Sequence, residues 1–592
     1  MKFKGIITFT DVYGSPPKEE DFSNIIKIPQ VEVLLTVAGI NARLHPIDAI
    51  DPDYTPLTQI NCLRAIFLDD KRAIKDSVCH HEIGLIGQLL GQGKTLFTRV
   101  TCMYAFNESL RYGHYSQSHP KAYYKEERMT IFKFLLACNE ALLQFDKGYG
   151  ANDNQALGDK FFEFFMFKEL PHNQYYALDN IINFFFRASE FLNTLQTSDK
   201  YGGHLTDYLN SFFGLDLVTF QKQLVSIALS STDRKIGTAY IQIDPQQPAS
   251  EELIKFLDAM ARKTEMEIPE KADISILDFI SIKKSPLFKS PQLSKNGHLL
   301  YVIPDIRLLA EKVFTFFMND FWFDYLKPND ICGRADWGNF IGSSFFEPYL
   351  EALLRRMHSH NKKVELYNGQ ELTFDFGKRR IEVADFILKR KNKLIVIQAK
   401  SSFLANTNGF KTVVNKDDYK HLNLDRFYSD FGLKQLAEIS LKLFQDYKWF
   451  FQNSLVNQQK QIEIYPVIMV QEPIIGSEYA SIAFKKAFIR LLEQHEVEKE
   501  DEIRFIHNLT IIHVSELEII EQSICDGDES LFNLIRHHLS VSSHEMIRKI
   551  NDPYVLTRSF KHSISILLKR KAISRRARNG LKALFKNNKS DF

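Results

Sequence analysis

The stretch Arg380 to Lys400, RIEVADFILKRKNKLIVIQAK, reads as two β-strands folded back on each other. RIEVADFIL and KLIVIQAK are rich in β-branched and apolar residues, and Lys391-Asn392 within KRKNK is a two-residue turn between them. Successive strand side chains alternate faces, so Gln398 and Lys400 share one face while Ile397 and Ala399 point to the other. A turn centred on Lys391 and Asn392 sets Asp385 opposite Gln398, on that same face. Three polar groups, Asp385, Gln398 and Lys400, are thus expected on a surface that Val383, Ile387, Leu394 and Val396 otherwise keep apolar. Burying such groups without partners is expensive, so something should compensate them.

The flanking sequence extends this pattern. Upstream, FFEPYLEALLRRM (345–357) is an amphipathic helix with Phe346, Leu350, Leu353 and Leu354 on one side. KKVELY and ELTFDF follow as strand-like runs, and Asn368-Gly369 between them is a type I′ hairpin signal. Downstream come a helix, GLKQLAEISLKLFQDYKWF (432–450), and a strand, IEIYPVIMV (462–470). The expected order is helix, antiparallel strands, crossover helix, strand.

A carboxylate, an amide oxygen and the Ala399 carbonyl are hard oxygen ligands suited to Mg2+ or Mn2+. A neighbouring ammonium could stabilise developing phosphate charge, so metal-assisted phosphodiester hydrolysis is the chemistry these groups suggest. Glu347 on its helix, Asp385 in VADFIL and the Gln398-Ala399-Lys400 triplet resemble the active site of the PD-(D/E)xK nuclease superfamily. FEPYLEALL and VIQAK resemble more closely its Mrr-like restriction endonuclease branch, in which a QxK triplet stands in for the commoner form. The likeness covers about 170 of the 592 residues.

That resemblance implies a restriction-endonuclease-like α/β core, metal ligation by Glu347 and Asp385, support from Gln398, and a catalytic role for Lys400. It also implies an active-site-facing glutamine at Gln435. Two positions depart from the pattern. Val383-Ala384 replace the usual proline, which supplies no ligand, and Gln398 replaces an acid, which removes a negative charge from the site. The resemblance further implies DNA as substrate and a role in prokaryotic restriction or antiphage defence. A catalytically silent nucleic-acid-binding or scaffold subunit that keeps the nuclease fold is the alternative.

Each of these residues also has a plainer reading. Glu347 could close a capping box from Ser344, although Pro348 would then lack an N–H where the helix needs one. Asp385 could be an edge-strand charge, and Lys400 could end its strand at the surface. LLGQGKTLF (89–97) contains a GKT, but Gln88 stands where a phosphate loop needs glycine, so a Gly-rich turn is the better reading and ATP use through Lys94 the lesser one. Cys79-His80-His81-Glu82 lacks a partner pair at zinc spacing. His358 and His360 are expected to face solvent, and Asp526-Gly527-Asp528-Glu529 to form a turn rather than a calcium loop.

The whole chain has 75 basic and 73 acidic residues, with 44% hydrophobic and 25% charged, which excludes a mostly disordered or fibrous polymer. No apolar run reaches the roughly 18 to 20 residues of a membrane span. The opening MKFKGIITFTDVYG is interrupted at Asp11, too early for a secretory leader, and six scattered cysteines form no CxxC pair. A cytoplasmic protein without membrane association is expected. From Arg548 onward, 13 Lys/Arg face 2 Asp/Glu, so this end is strongly basic in an otherwise slightly acidic chain. Phosphate contacts are expected from Lys569, Arg570, Lys571, Arg575, Arg576 and Arg578, and from Lys389, Arg390, Lys391 and Lys393 near the hairpin tip. A basic helix folded on an acidic surface of the same chain is the alternative.

The expected architecture is multidomain α+β, since about 150 residues per domain gives roughly three to four units. Residues 1–235 read as a mainly helical domain, 236–330 as a connecting α+β region, 338–515 as the α/β core and 516–592 as a basic helical segment. KPNDICGRADWG marks the clearest boundary. The N-terminal region is the candidate for recognising a partner protein of a defence system, and homo-oligomerisation is compatible with the pattern.

Overall fold

In a computed structural model, the structure describes residues 5–45, 53–67, 80–112, 125–146, 160–169, 181–232, 239–248, 250–262, 279–290, 294, 296–369, 371, 373–376, 379–401, 410, 413, 416–445, 462–494, 504–542, 559–564 and 575–586. The fold is mixed α+β. Contacts divide the chain into two compact units: Met1–Asn154, Phe184–Ile331 and Gly580–Phe592 form the first, Gln155–Asn183 and Cys332–Asn579 the second. The division at Ile331 falls inside KPNDICGRADWG.

The first unit is mainly helical because its segments carry apolar residues at three- and four-residue spacing. Helices Gln30–Leu44, Arg99–Tyr112 and Lys125–Asp146 bury one continuous cluster that includes Leu34, Val37, Phe97, Met103, Phe132 and Leu135. A small antiparallel sheet joins Tyr240–Ile243, Leu299–Val302 and Phe288–Lys289. The aromatic stretch from Ile306 to Leu326 is three short segments, Ile306–Lys312, Thr315–Asp320 and a π-turn, Phe321–Leu326. LLGQGKTLF is a turn at the end of helix His80–Gly91, with Gly93 at φ 89° and Lys94 Nζ 2.7 Å from Asp11 Oδ1. The order is helix then turn rather than strand, loop and helix, and the lysine is neutralised within its own unit.

The second unit is built on one sheet. Its elements are α1 (Glu347–His358), β1 (Glu365–Asn368), β2 (Thr373–Phe376), β3 (Arg379–Glu382), β4 (Phe386–Arg390), β5 (Lys393–Lys400), α2 (Leu433–Gln445), β6 (Ile462–Val470), α3 (Glu478–Glu493), β7 (Arg504–Ile506), β8 (Thr510–His513) and α4 (Val514–Cys525). The strand order is β7-β6-β5-β4-β1, with β8 also on β6. β1, β4 and β5 pair antiparallel, and β6 adds parallel to β5 through α2. Leu350, Leu353 and Leu354 of α1 and Phe346 just before it are all fully buried, as their spacing requires.

Two expectations about this region are corrected. β1 does not pair with ELTFDF; it pairs with β4, while β2 and β3 form a separate two-stranded hairpin. Gly369 does not take the left-handed φ that a type I′ turn needs. Instead, Glu371 N–H donates to Asn368 Oδ1 at 3.1 Å and Asn368 N–H to Glu371 Oε2 at 2.9 Å, a reciprocal turn that leads the chain off the sheet. His358 is buried rather than solvent-facing, and burial together with Arg390 pushes its imidazole down to about 4. His360 is exposed as expected.

The segment 155–183 belongs to this unit although its neighbours in sequence belong to the first. Helix Phe161–Glu169 is anchored by Glu163, whose carboxylate accepts from the hydroxyls of Tyr419 and Tyr428, and by Phe167, stacked on Phe410 at 5.6 Å.

Candidate functional site

The hairpin sets the geometry. Phe386 pairs with Ile397 and Arg390 with Lys393, the register that sets Asp385 opposite Gln398, and Lys391 closes the turn at φ 57°. Ala399 N–H donates to Asp385 Oδ2 at 2.6 Å. In an antiparallel pair the N–H and C=O of one residue point the same way, so the Ala399 carbonyl also opens toward Asp385. The neighbouring Lys400 carbonyl turns the other way and accepts from Gln471 N–H at 3.1 Å.

Asp385 and Lys400 are brought together. Burial raises the Asp385 carboxyl above its ordinary range, and the Lys400 charge and the Ala399 N–H pull it back only in part. Gln398 is fully buried, and neither its Oε1 nor its Nε2 has a hydrogen-bond partner. An unpaired buried amide costs about 1–3 kcal/mol, which marks this position as one that folding alone would not choose.

Glu347 reaches the same end of β5 through an irregular helix. Residues Phe340–Phe346 form a π-turn that runs directly into α1, and Glu347 N–H donates to Gly342 O. The wider turn makes room for Pro348, whose ring would clash with the carbonyl four residues back in a regular helix. Ser344 therefore caps nothing, and the capping-box reading of Glu347 falls away. A Cβ placed on Gly342 would lie 3.1 Å from Ser401 Oγ and 3.8 Å from Glu347 Oε1, so Glu347 stands beside the residue that follows Lys400. Glu351, one turn on, is engaged elsewhere: Arg355 Nη2 is 2.6 Å from its Oε1, and Asn368 Nδ2 donates to the same atom at 3.3 Å.

Gln435 is exposed in the first turn of α2. Sequence reasoning missed Gly432, just before that helix. Its φ is +70°, and a Cβ there would lie 2.5 Å from Lys400 Cε, 3.2 Å from Lys400 Nζ and 3.7 Å from Gln398 Oε1. The signal available was a glycine at the start of a strongly amphipathic run. Gln471, buried with both side-chain amide atoms unpartnered, was also missed; it follows β6 without any motif.

The basic residues near the hairpin tip are mostly committed. Lys389 pairs with Glu365 at 3.2 Å, Lys393 with Glu463 at 2.6 Å, and Arg390 Nη1 lies 3.5 Å from Ser530 Oγ; Lys391 is exposed. With seven strand steps between Lys393 and Lys400, the tip is about 23 Å from the Asp385 end. Lys569, Arg570 and Lys571 lie outside the described residues, as does the side chain of Arg578. Arg575 is 4.0 Å from Asp526, and Arg576 packs over the Tyr349 ring at 5.4 Å, so these two side chains face groups of their own unit. Asp526 to Glu529 form the turn ending α4, with Gly527 at φ 79° and Asp528 N–H donating to Ser523 O.

Among the described residues no three His, Cys, Asp or Glu side chains gather as a metal site. A divalent cation would have to use an amide and a carbonyl beside carboxylates. The unpartnered Gln398 amide, the Ala399 carbonyl and the Asp385 carboxylate are hard donors that fit such an ion. No family model, curated protein or solved structure matches the chain. No single described helix is long and apolar enough to cross a membrane.

Proposed function

We propose that the second unit is a metal-dependent nuclease of the PD-(D/E)xK type, in its QxK form, hydrolysing phosphodiester bonds in DNA. The observation that carries this reading is the meeting of Asp385 and Lys400 beside a fully buried Gln398 whose amide has no partner. The order of α1, the β4–β5 hairpin, α2 and the parallel β6 supports the same core.

Asp385, Glu347, Gln398 through Oε1 and the Ala399 carbonyl would hold Mg2+ or Mn2+. When bound, the ion supplies Lewis-acid stabilisation of charge. Lys400 Nζ donates to phosphate oxygens and offsets the negative charge that develops on them. The Ala399 N–H fixes the Asp385 carboxylate. Service as the effector of a prokaryotic restriction or antiphage system, with the first unit meeting a partner protein, belongs to the same proposal.

Incubation of the full chain with plasmid DNA and Mg2+ or Mn2+ tests it. Cleavage should fall at least about a hundredfold in both Lys400→Ala and Asp385→Ala. DNA binding without cleavage in the wild type would favour the silent binding subunit, and cleavage undiminished in both variants would place the chemistry elsewhere.

A further inference from the structure

The first turn of α2 meets Lys400 where no cation should be welcome. The N-terminus of a helix carries roughly half a positive charge, from N–H groups that lack intrahelical acceptors. The first regular bond of α2 runs from Leu436 N–H to Gly432 O, so the N–H groups of Leu433, Lys434 and Gln435 precede it. Gly432 brings Lys400 onto this end: its missing Cβ would sit 3.2 Å from Lys400 Nζ. Asp385 is close enough to Lys400 for the two charges to act on each other. Gln398 points independently to a ligand, because its amide is fully buried, unpartnered and 3.7 Å, through Oε1, from the same Gly432 position.

We infer that the start of α2, with Gly432, Lys400 and Gln398, is a subsite that holds one phosphate of a polynucleotide. This rests on the nuclease reading and extends it to how the substrate backbone is gripped. An amide suits the junction of cation and phosphate as a carboxylate does not: turned over about its last bond from the orientation that sets Oε1 near Gly432, it would present Nε2–H to a phosphate oxygen and Oε1 to a cation. The glutamine in the triplet therefore adds a donor while removing a charge. Gly432 is required twice, for its left-handed φ and because any side chain would displace Lys400.

Proline in the first helical turn deletes an N–H without breaking the helix. The test compares Lys434→Pro with Lys434→Ala, both in the full chain, for binding of a 20-base-pair DNA duplex in EDTA, with inorganic phosphate as competitor. Both lose the lysine charge, and only the proline loses the N–H. Lys434→Pro should bind the duplex roughly tenfold more weakly than Lys434→Ala, and phosphate should displace the duplex less effectively from the proline variant. Equal affinities and equal competition, with unchanged circular dichroism, would overturn the inference. Should Lys434→Pro not fold, Gln435→Pro against Gln435→Ala repeats the comparison at the next N–H. Because no metal is present, the outcome is separate from cleavage: lost binding in a chain that never cuts DNA upholds the cradle and removes the hydrolase, whereas cleavage with equal binding does the reverse.

Discussion

Asp305 in the first unit and Asp385 in the second are both carboxylates withdrawn from water, yet their surroundings treat them in opposite ways. Asp305 is ion-paired with Arg99 and caps helix Ile306–Lys312, accepting from Arg307 N–H at 2.7 Å and Leu308 N–H at 3.3 Å. Burial alone would raise its carboxyl, but Arg99 and Arg307 hold it well below the ordinary range. Asp385 has one backbone donor and a nearby ammonium, and burial wins. The first arrangement completes a fold; the second leaves a deficit that a ligand could fill.

The largest test of this contrast is removal of Asp305. Asp305→Ala removes the carboxylate that the buried Arg99 is ion-paired with and should cost about 3–5 kcal/mol, read as faster hydrogen exchange in peptides spanning Arg99–Tyr112 and Ile306–Lys312. Its pH dependence has a definite sign. A lowered folded pKa means that the contribution is complete above the ordinary carboxylate pKa near 4 and is lost as pH falls toward the folded value. The gap between wild type and variant should therefore narrow below about pH 4. A cost under about 1 kcal/mol would erase the distinction between the two carboxylates.

The second unit should respond with the opposite sign. Gln398→Leu removes an unpaired buried amide, and Asp385→Asn removes a charge that burial disfavours. Each should raise metal-free stability by about 1 kcal/mol in thermal melts while abolishing Mn2+-dependent cleavage. Loss of stability in both would make these residues structural. The smallest effect is expected at the hairpin tip, where Lys391→Ala should change duplex affinity less than about twofold. A larger drop would mean that DNA spans the length of β5.

The hairpin was legible because a two-residue turn and strict alternation leave one register that buries Ile387, Leu394 and Val396 together. The same reasoning located α1 and β6. It failed at Asn368-Gly369, where local turn chemistry favoured a hairpin but β1 found a longer-range partner in β4. Lys389 and Lys393 looked available to phosphate because sequence does not reveal the facing Glu365 and Glu463. His358 was misplaced because helical periodicity reveals a face of α1 but not how far its cover extends. Gly432 escaped notice because its importance lies in what it touches. The attachment of 155–183 to the second unit has no compositional mark, since aromatic residues are abundant on both sides.

The π-turn before α1 carries one residue more than a regular helix would need over the same span. Each helical residue turns the chain by about 100°, so the azimuth of Glu347 is set by backbone counting upstream as much as by its own side chain. Shortening Phe340–Phe346 by a single residue would swing that carboxylate more than a quarter-circle around the helix axis and leave its chemical identity untouched. The acid is thus aimed by a length of chain.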